Sequence, residues 1–309
     1  MKILNGYSKI IKENTVITIG NFDGIHKGHQ KILKNIVKIS KKNNLKSVVV
    51  TFNPHPIEFF KKNHEPFKLT NNITKIDEIK KLGVDYIVFL KFNRKLNKLP
   101  PEDFIKKLIK FKPKFIVVGY NFHFGYKRKG NTSLLRKFAL KYCYSLKVVK
   151  PIVNKNKKVF NSTFIRKKLK YGEYNVAKEM LGRNWLIEGT IIKGSGRGQK
   201  IGYRTANFLL KDYIVPMKGV YLTQSYFEKN KKKKYFGLAN IGTRPTFKGK
   251  KIFFENHFFN SKKFLYGKKI FVELLEFLRK EKKFANIIKL KEQIEKDILL
   301  AKKIIKGNK

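Results

Sequence analysis

Two histidines, His26 and His29, lie three residues apart in a glycine-rich segment, GNFDGIHKGHQ, from Gly20 to Gln30. The segment follows a short apolar run, TVITIG at 15–20, and leads into a helical pattern. In α/β sheets, a glycine-rich turn between a strand and a helix is a place where nucleotides bind, because backbone N–H groups and the helix dipole meet the phosphates. The two imidazoles would share one face at the helix start, where both can donate hydrogen bonds to one phosphoryl group.

Two other interpretations of this histidine pair are open. A His-x-x-His pair also suits a metal site, although no third Cys or His lies near it in the sequence. The histidines could also be incidental surface or core residues. The surrounding Gly20, Gly24 and Gly28 favour a ligand site, since glycines allow the backbone to approach a ligand closely.

A second candidate site lies in GTIIKGSGRGQKIGYRTANF, from Gly189 to Phe208. Glycine density alone would favour a hairpin loop rich in turn residues. Thr205 and Asn207, however, are two apart on a strand and therefore project to the same side. A hydroxyl and an amide oxygen are hard donors that can hold Mg²⁺ against nucleotide phosphates.

Alternating strands and helices must position the first candidate site. The apolar strand candidates are 15–20, 47–52, 85–90 and 115–120. The helical patterns are 28–42, 74–82 and 101–110, with a last helix or helix pair at 162–181. Near-continuous apolar strands separated by helices predict a parallel sheet covered on both faces.

After Gly182 the pattern changes to short strands separated by Gly-rich or Lys-rich turns. The strand candidates are 185–192, 219–227, 235–241, 251–259 and 269–276. They predict a small antiparallel barrel. Apolar residues at three- and four-residue steps from Ile287 to Ala301 predict that an amphipathic helix follows the barrel. We therefore expect two domains, 1–182 and 183–309.

The formal net charge of +51 suggests a nucleic-acid-binding protein, because clustered Lys and Arg release counterions from phosphate backbones. Here the lysines are spread almost evenly, with Lys231–Lys234 the densest run, and a general compositional bias explains them better. The positive field would still attract ATP. No apolar run reaches the roughly 18 to 20 residues that span a bilayer, and no signal peptide is recognisable. A single cysteine, Cys143, in a helix-like stretch, indicates a reducing cytoplasm.

The segment GNFDGIHKGH resembles the (G/T)xFDGxHxGH signature of the nucleotidyltransferase superfamily, in the form found in bacterial FAD synthetases. Three further segments resemble that family in order and spacing, namely FNPHP at 52–56, VVGYNFHFGYKRKGN at 117–131 and NSTFIR at 161–166. Asn161 stands where the family usually has serine. The resemblance implies a Rossmann-like domain that adenylylates FMN to FAD.

In that family the two histidines bind the ATP phosphates and stabilise charge as pyrophosphate leaves, which implies this role for His26 and His29. The implied nucleotide-binding turn comprises Gly20, Asn21, Phe22, Asp23, Gly24 and Gly28. Asn121 and Phe124 would line the flavin side. The implied ligands of the triphosphate oxygens at a second helix start are Ser162, Thr163 and Arg166.

The second glycine-rich segment resembles the riboflavin kinase motif GxxRGxxxGxPTAN, and four downstream segments match that family in order. These are GVY at 219–221, NIGTRPTF at 240–247, ENHFFNSKKFLYG at 255–267 and FLRKEKKF at 277–284. The resemblance implies that Thr205 and Asn207 hold Mg²⁺, and that Glu255 is the general base acting on the riboflavin 5′-hydroxyl. The implied nucleotide-binding residues are Gly194, Gly196, Arg197, Gly198, Gly202 and Asn240.

Two positions depart from the kinase motif. Arg204 replaces the proline before Thr205, and Gln199 stands where the family often has a basic residue. Proline would fix φ and stiffen the metal-binding strand. We therefore expect a bifunctional enzyme that converts riboflavin to FMN and FMN to FAD. The alternatives are an FMN adenylyltransferase with a weakened kinase half and a basic nucleic-acid-binding protein.

Overall fold

A computed structural model describes residues 1–7, 11–60, 65–154, 157–194, 196–227, 233–246, 249–259 and 266–307, with the side chains of 197, 200, 244–246 and 249–251 excepted. The chain forms two compact units. One comprises Met1–Glu65 and Asn71–Ser162, and the other Pro66–Thr70 and Thr163–Lys309. The domain boundary at residue 182 stays a prediction.

The first unit contains a six-stranded sheet in which every pair of neighbours is parallel. Its strands are β1 (Lys2–Asn5), β2 (Thr15–Ile19), β3 (Lys46–Asn53), β4 (Tyr86–Lys91), β5 (Pro113–Gly119) and β6 (Ser145–Val149). Their order in the sheet is β1-β4-β3-β2-β5-β6, which places β2 between β3 and β5. The predicted parallel sheet is confirmed.

Helices cover both faces of this sheet. They are α1 (Lys27–Lys42), α2 (Pro56–Phe60), α3 (Asn72–Lys81), α4 (Arg94–Asn97), α5 (Pro101–Ile109) and α6 (Thr132–Lys141), with a 3₁₀ turn at Tyr126–Arg128. Successive strand residues point to opposite faces. Accordingly, Val48 belongs to the core cluster that includes Phe104 of α5 and Leu135 of α6, whereas Val49 belongs to the cluster with Leu33 of α1 and Ile79 of α3.

The second unit contains an antiparallel sheet that nearly closes on itself. Its strands are β7 (Trp185–Thr190), β8 (Ala206–Leu209), β9 (Gly219–Tyr226), β10 (Tyr235–Thr246), β11 (Gly249–Phe258) and β12 (Lys269–Lys280), in the order β7-β12-β9-β10-β11-β8. Just beyond β7, the Ile192 N–H donates to Asn207 O at 2.8 Å and links the two edges. The predicted small barrel is confirmed.

The helices of the second unit are α7 (Ser162–Lys170), which starts at the junction of the two units, α8 (Tyr174–Leu181), α9 (Arg197–Lys200) and α10 (Ile287–Gly307). Helix α10 packs its apolar side, including Ala301, on Val220, Leu222 and Leu238 of the barrel's outer face. The buried carboxylate of Asp297 also pairs with Arg279 of β12 at 2.8 Å. The predicted helix after the barrel is therefore present, and apolar packing and a buried ion pair hold it against the barrel.

The short segment Pro66–Thr70 is part of the second unit although residues of the first unit flank it on both sides. The Lys68 N–H donates to Asp212 O at 3.1 Å, and the Ile214 N–H donates to Lys68 O at 2.9 Å. The indole N–H of buried Trp185 donates to Leu69 O at 2.8 Å. The second unit thus includes five residues that lie about 90 positions before the rest of that unit in the sequence.

Cys143 does not lie in a helix, because α6 ends at Lys141 and Cys143 sits in the following turn with φ of +51°. Its side chain is exposed. Within the described ranges, every helix is too short or too polar to cross a bilayer.

Candidate active sites

A tight turn joins β2 to α1 in the first unit. The Gly20 N–H donates to Val50 O of β3 at 3.1 Å. Phe22 and Ile25 both have positive φ, +48° and +42°, although neither is glycine. Such backbone conformations cost about 1–3 kcal/mol each. Both side chains are buried, and their burial helps to hold the turn in this shape.

The structure brings His26 and His29 together at the start of α1. His26 is the N-cap, and its Nδ1 accepts a hydrogen bond from the His29 N–H at 3.3 Å. The two rings stack with centroids 3.7 Å apart. Because Nδ1 of His26 accepts, the proton of its neutral ring is on Nε2.

Gly28 allows this arrangement of the histidines. A Cβ at position 28 would lie 2.9 Å from Cε1 of His26 and 3.4 Å from Phe160 O. The contact with Cε1 is shorter than real Cβ atoms make, so a larger residue would displace the His26 ring. Position 28 therefore requires glycine so that the His26 ring can pack against it.

Three side chains donate hydrogen bonds to carbonyl groups of the turn. Asn21 O accepts hydrogen bonds from Lys75 Nζ at 2.8 Å and from Thr51 Oγ1 at 3.3 Å. Asp23 O accepts one from Ser162 Oγ at 2.8 Å. Sequence reasoning identified Ser162 and missed Lys75. A usable signal was its position four residues before Ile79, on the buried side of the helix.

The segment after β5 lies at the same edge of the sheet as this turn, because β2 and β5 are adjacent parallel strands. Asn121 is exposed there. Phe124 is buried, with its ring 5.6 Å from Phe122 and 5.9 Å from Phe104. A Cβ on Gly130 would lie 2.7 Å from the Phe124 ring, so this aromatic is packed into the core of the unit.

Thr163 and Arg166 lie on α7 in the second unit. Arg166 Nε donates to Phe67 O at 2.7 Å, and its guanidinium lies 5.4 Å from the centre of the Phe67 ring. Within that unit, Arg166 therefore anchors the segment Pro66–Thr70.

Three candidate residues of the second site form one row across the barrel. Asn207 of β8 pairs with Glu255 of β11, and Glu255 pairs with Asn240 of β10. Directly paired residues of neighbouring strands share a face of the sheet. Glu255 and Asn240 line a cavity of about 400 Å³ between the outer face of the barrel and α10. Thr205 and Gly198 line it too.

Thr205 and Asn207 are in contact. Asn207 Nδ2 donates to Thr205 Oγ1 at 3.2 Å and to Thr205 O at 3.1 Å. This fixes Asn207 Oδ1, which is buried without a hydrogen-bond partner among the described residues. Such an acceptor is costly unless a cation or another donor satisfies it. The pair therefore fits the oxygen ligands that Mg²⁺ prefers.

The glycine loop before β8 is shaped by close contacts. A Cβ on Gly194 would lie 2.4 Å from Nδ2 of Asn207, and one on Gly198 would lie 2.4 Å from Tyr203 O. Gly196 and Gly202 have φ of +75° and +92°, which favours glycine. The side chain of Arg197 lies outside the described part of the chain.

His257 lies two residues after Glu255 on the same strand, and it also lines the cavity. Its Nδ1 is 2.9 Å from Arg204 O. A carbonyl oxygen only accepts, so the Nδ1 of His257 carries the proton and donates. Sequence reasoning did not single out His257, although the segment Glu-x-His contains it. The contact fixes the backbone immediately before Thr205.

Polar groups close the cavity on the α10 side. Arg279 Nε and Nη2 both donate to the Asp297 carboxylate, at 2.8 to 3.0 Å. Tyr203, another lining residue, has its hydroxyl 3.5 Å from Glu295 of α10. Burial, together with the charge of Glu295, raises the pKa of the Tyr203 hydroxyl. Among the residues described, no cluster of three or more His, Cys, Asp or Glu side chains could hold a metal ion.

Comparison with known proteins assigns each half of the chain to a family. Residues 8–164 match the FAD synthetase family, and residues 181–305 match the riboflavin kinase family. The chain is 41% identical to the bifunctional riboflavin kinase/FMN adenylyltransferase of Buchnera aphidicola subsp. Schizaphis graminum, over 98% of each protein. It is 34% identical to the Escherichia coli K12 protein with the same description, over 98% of this chain and 97% of the other.

A solved structure has the same fold over nearly the whole length. It is the crystal structure of a Streptococcus pneumoniae protein described as a macrolide-efflux protein. The TM-score is 0.87 at 27% identity, and the match covers 97% of this chain and 98% of the other.

Proposed function

Because the chain belongs to the bifunctional riboflavin kinase/FMN adenylyltransferase family, we propose that the Gly20–His29 turn adenylylates FMN and that the cavity beside α10 phosphorylates riboflavin. The protein transfers phosphate from ATP to riboflavin and then joins FMN to AMP, forming FAD and pyrophosphate. The strongest support for this assignment of the two sites comes from one observation. Each family match covers one of the two constellations, and each constellation lies mainly within one compact unit.

At the first site, an FMN phosphate oxygen attacks the α-phosphorus of ATP in line, and the bond to pyrophosphate breaks. No covalent enzyme intermediate is needed, so the protein contributes position and electrostatic stabilisation. The Nε2–H of His26 and the ring of His29 donate to the phosphate oxygens. The backbone N–H groups of Asn21 and Phe22 provide further donors around the same phosphates.

Other residues of the first half have more peripheral proposed roles. Ser162 supports the turn through Asp23 O. Thr163 and Arg166 belong to the other compact unit, so their role at the triphosphate oxygens stays a prediction. Asn121 contacts the flavin from the segment after β5. Phe124 contacts the flavin too, or holds that segment in place from its buried position.

At the second site, Glu255 takes the proton of the riboflavin 5′-hydroxyl as that oxygen attacks the γ-phosphorus, and ADP leaves. Its row on the barrel face places Asn240 and Asn207 on either side of it. Thr205 and Asn207 hold Mg²⁺ through their side-chain oxygens. When bound, Mg²⁺ neutralises charge on the ATP phosphates. The glycines before β8, from Gly196 to Gly202, let the backbone approach the phosphates closely.

The replacement of the motif proline by Arg204 motivates the alternative of an adenylyltransferase without a working kinase. The hydrogen bond from His257 to Arg204 O favours the bifunctional assignment. Proline would restrict the backbone at position 204 through its ring, whereas here a side chain from β11 restricts it from outside. The metal-binding pair therefore keeps a fixed position.

We further propose a cytoplasmic location, supported by the single cysteine in 309 residues. The partners in the proposal are the small molecules ATP, riboflavin, FMN and FAD, without a membrane or a specific nucleic acid. The even distribution of lysines supports a general attraction of anionic substrates.

The product profile tests both halves at once. Purified full-length protein is given riboflavin, ATP and Mg²⁺, and the flavins are separated over time. We expect FMN to appear first and FAD to follow. FAD formed from added FMN, but never from riboflavin, would support the adenylyltransferase-only alternative and overturn the proposed kinase site.

A further inference from the structure

A buried lysine lies beneath the turn of the first site. Lys75 of α3 is only 4% exposed, whereas lysines are almost never fully buried without a partner. Its Nζ donates to Asn21 O at 2.8 Å. A hydrogen bond from an ammonium group is stronger than one between neutral groups. This contact therefore fixes the Asn21 carbonyl more firmly than ordinary packing would.

The orientation of this carbonyl decides the direction of the next N–H group. In a planar trans peptide, the C=O and the N–H point in opposite directions. Lys75 and Thr51 hold Asn21 O toward the interior, where both donors are buried. The Phe22 N–H must then point away from the interior. Phe22 has φ of +48°, a costly conformation for a phenylalanine that needs support from its surroundings.

We infer that Lys75 is a positioning residue for FMN adenylylation. It holds the peptide between Asn21 and Phe22 in the orientation that receives the ATP phosphates, and it places a fixed positive charge under the turn. The inference rests on the proposed adenylylation site. Charges act over longer distances in a poorly solvated interior than in water, so the ammonium also attracts the phosphates directly.

Packing alone does not account for a lysine at this position. Methionine has a similar length and flexibility, and it fills the same space without the cost of burying a charge. Lys75→Met should therefore keep the fold of the unit while removing the donor to Asn21 O and the charge. Lys80 lies on the same helix with its side chain exposed, so Lys80→Met is a matched control.

The test compares wild type, Lys75→Met, Lys80→Met and Thr51→Val in both reactions. We expect Lys75→Met to lower kcat/KM of FMN adenylylation about 10- to 100-fold, as the loss of a hydrogen bond to a charged group does. Thr51→Val, which removes the neutral donor to the same carbonyl, should lower it about 2- to 10-fold. Lys80→Met should leave adenylylation unchanged. Riboflavin phosphorylation by the same preparations should be unchanged in all variants.

A second measurement separates positioning from general damage. In Lys75→Met, the inhibition constant of pyrophosphate against ATP should rise about 10-fold or more, by the same hydrogen-bond argument. The inhibition constant of adenosine against ATP should be the same in Lys75→Met as in the wild type. An unchanged adenylylation rate, or equal weakening of both inhibitors, would overturn the inference. If Lys75→Met also lost kinase activity through misfolding, Thr51→Val would decide, and normal adenylylation by that variant would refute the inference. Failure of the wild type to form FAD from FMN would refute the proposed function instead.

Discussion

The two candidate sites are built in opposite ways. The histidine turn at the centre of the first site is one contiguous segment, Gly20–His29, whose shape is set by local backbone conformation and by buried groups beneath it. The second is assembled from strands and a helix far apart in sequence, with Asn207, Glu255 and Asn240 aligned only by strand pairing. A contiguous site depends on the conformation of a few residues. An assembled site depends on the register of the whole sheet.

This difference determines how each site can fail. A slip of one residue in β11 would turn Glu255 to the other face of the barrel and put a neighbour in its place. No comparable slip can separate His26 from His29, since both are held by the start of one helix. We therefore expect the second site to be the more sensitive of the two to distant changes.

The largest expected effect is the separation of the two activities. Glu255→Gln should lower riboflavin phosphorylation about 10²- to 10⁴-fold, because it removes the proposed general base. His26→Ala should lower FMN adenylylation about 10²- to 10³-fold, because it removes a proposed donor to the developing charge. Each variant should keep the other activity at the wild-type level. Both rates are measured by separating the flavins, and loss of both activities in one variant would contradict independent sites.

The next effect tests whether α10 supports only the second site. Asp297→Asn breaks a buried ion pair with Arg279 and should lower the free energy of unfolding of the second unit by about 3–5 kcal/mol. Glu292→Gln removes an exposed pair with Lys289 on the same helix and should cost less than about 1 kcal/mol. Urea unfolding measures both, alongside the two activities. If adenylylation fell as much as kinase activity, α10 would support both sites and not the second site alone.

Two glycines give a smaller and symmetrical test. Gly194→Ala would push against Nδ2 of Asn207, and Gly28→Ala would push against Cε1 of His26. We expect Gly194→Ala to raise the Mg²⁺ concentration for half-maximal kinase activity about tenfold, which corresponds to the loss of about one hydrogen bond. Gly28→Ala should weaken only adenylylation, by a similar factor. Titrations of each activity with Mg²⁺ and ATP distinguish the two variants. If Gly194→Ala weakened adenylylation, or Gly28→Ala weakened kinase activity, the glycines would act elsewhere than at Asn207 and His26.

The smallest expected effect concerns Arg204. Because His257 already restrains this position, Arg204→Pro should change kinase kcat/KM by no more than about threefold, a difference of less than 1 kcal/mol. In a His257→Phe background, which lacks the donor, the same proline should recover part of the lost activity. A large gain from Arg204→Pro in the wild type would show that the hydrogen bond does not replace the proline.

Much of the fold could be predicted from the apolar pattern. The central strands β2 to β5 are each predicted within two residues of their observed ends, because both faces of these strands are covered and each strand contains a run of buried apolar residues. The edge strands β1 and β6 were not predicted. They are partly exposed, and polar residues such as Lys2 and Lys147 interrupt them, so the pattern of a buried strand is absent.

The sites could be predicted only as far as local sequence specifies them. The pairing of His26 with His29 follows from helical spacing. The row of Asn207, Glu255 and Asn240 depends on a register that no local pattern contains. Lys75 is one of many lysines in a strongly basic chain, and its helical spacing from Ile79 is the sequence signal that places it on the buried side of α3.

The segment Pro66–Thr70 determines how this protein can be divided experimentally. A fragment that begins at Thr163 would lack the Lys68 backbone that bonds to Asp212 and Ile214, and the acceptor for the indole of Trp185. A fragment that ends at Ser162 would retain those five residues without the barrel they belong to. A single cut at this boundary therefore separates Pro66–Thr70 from the unit in which it packs. An isolated kinase half should be stabilised when a peptide spanning residues 66–70 is supplied in trans.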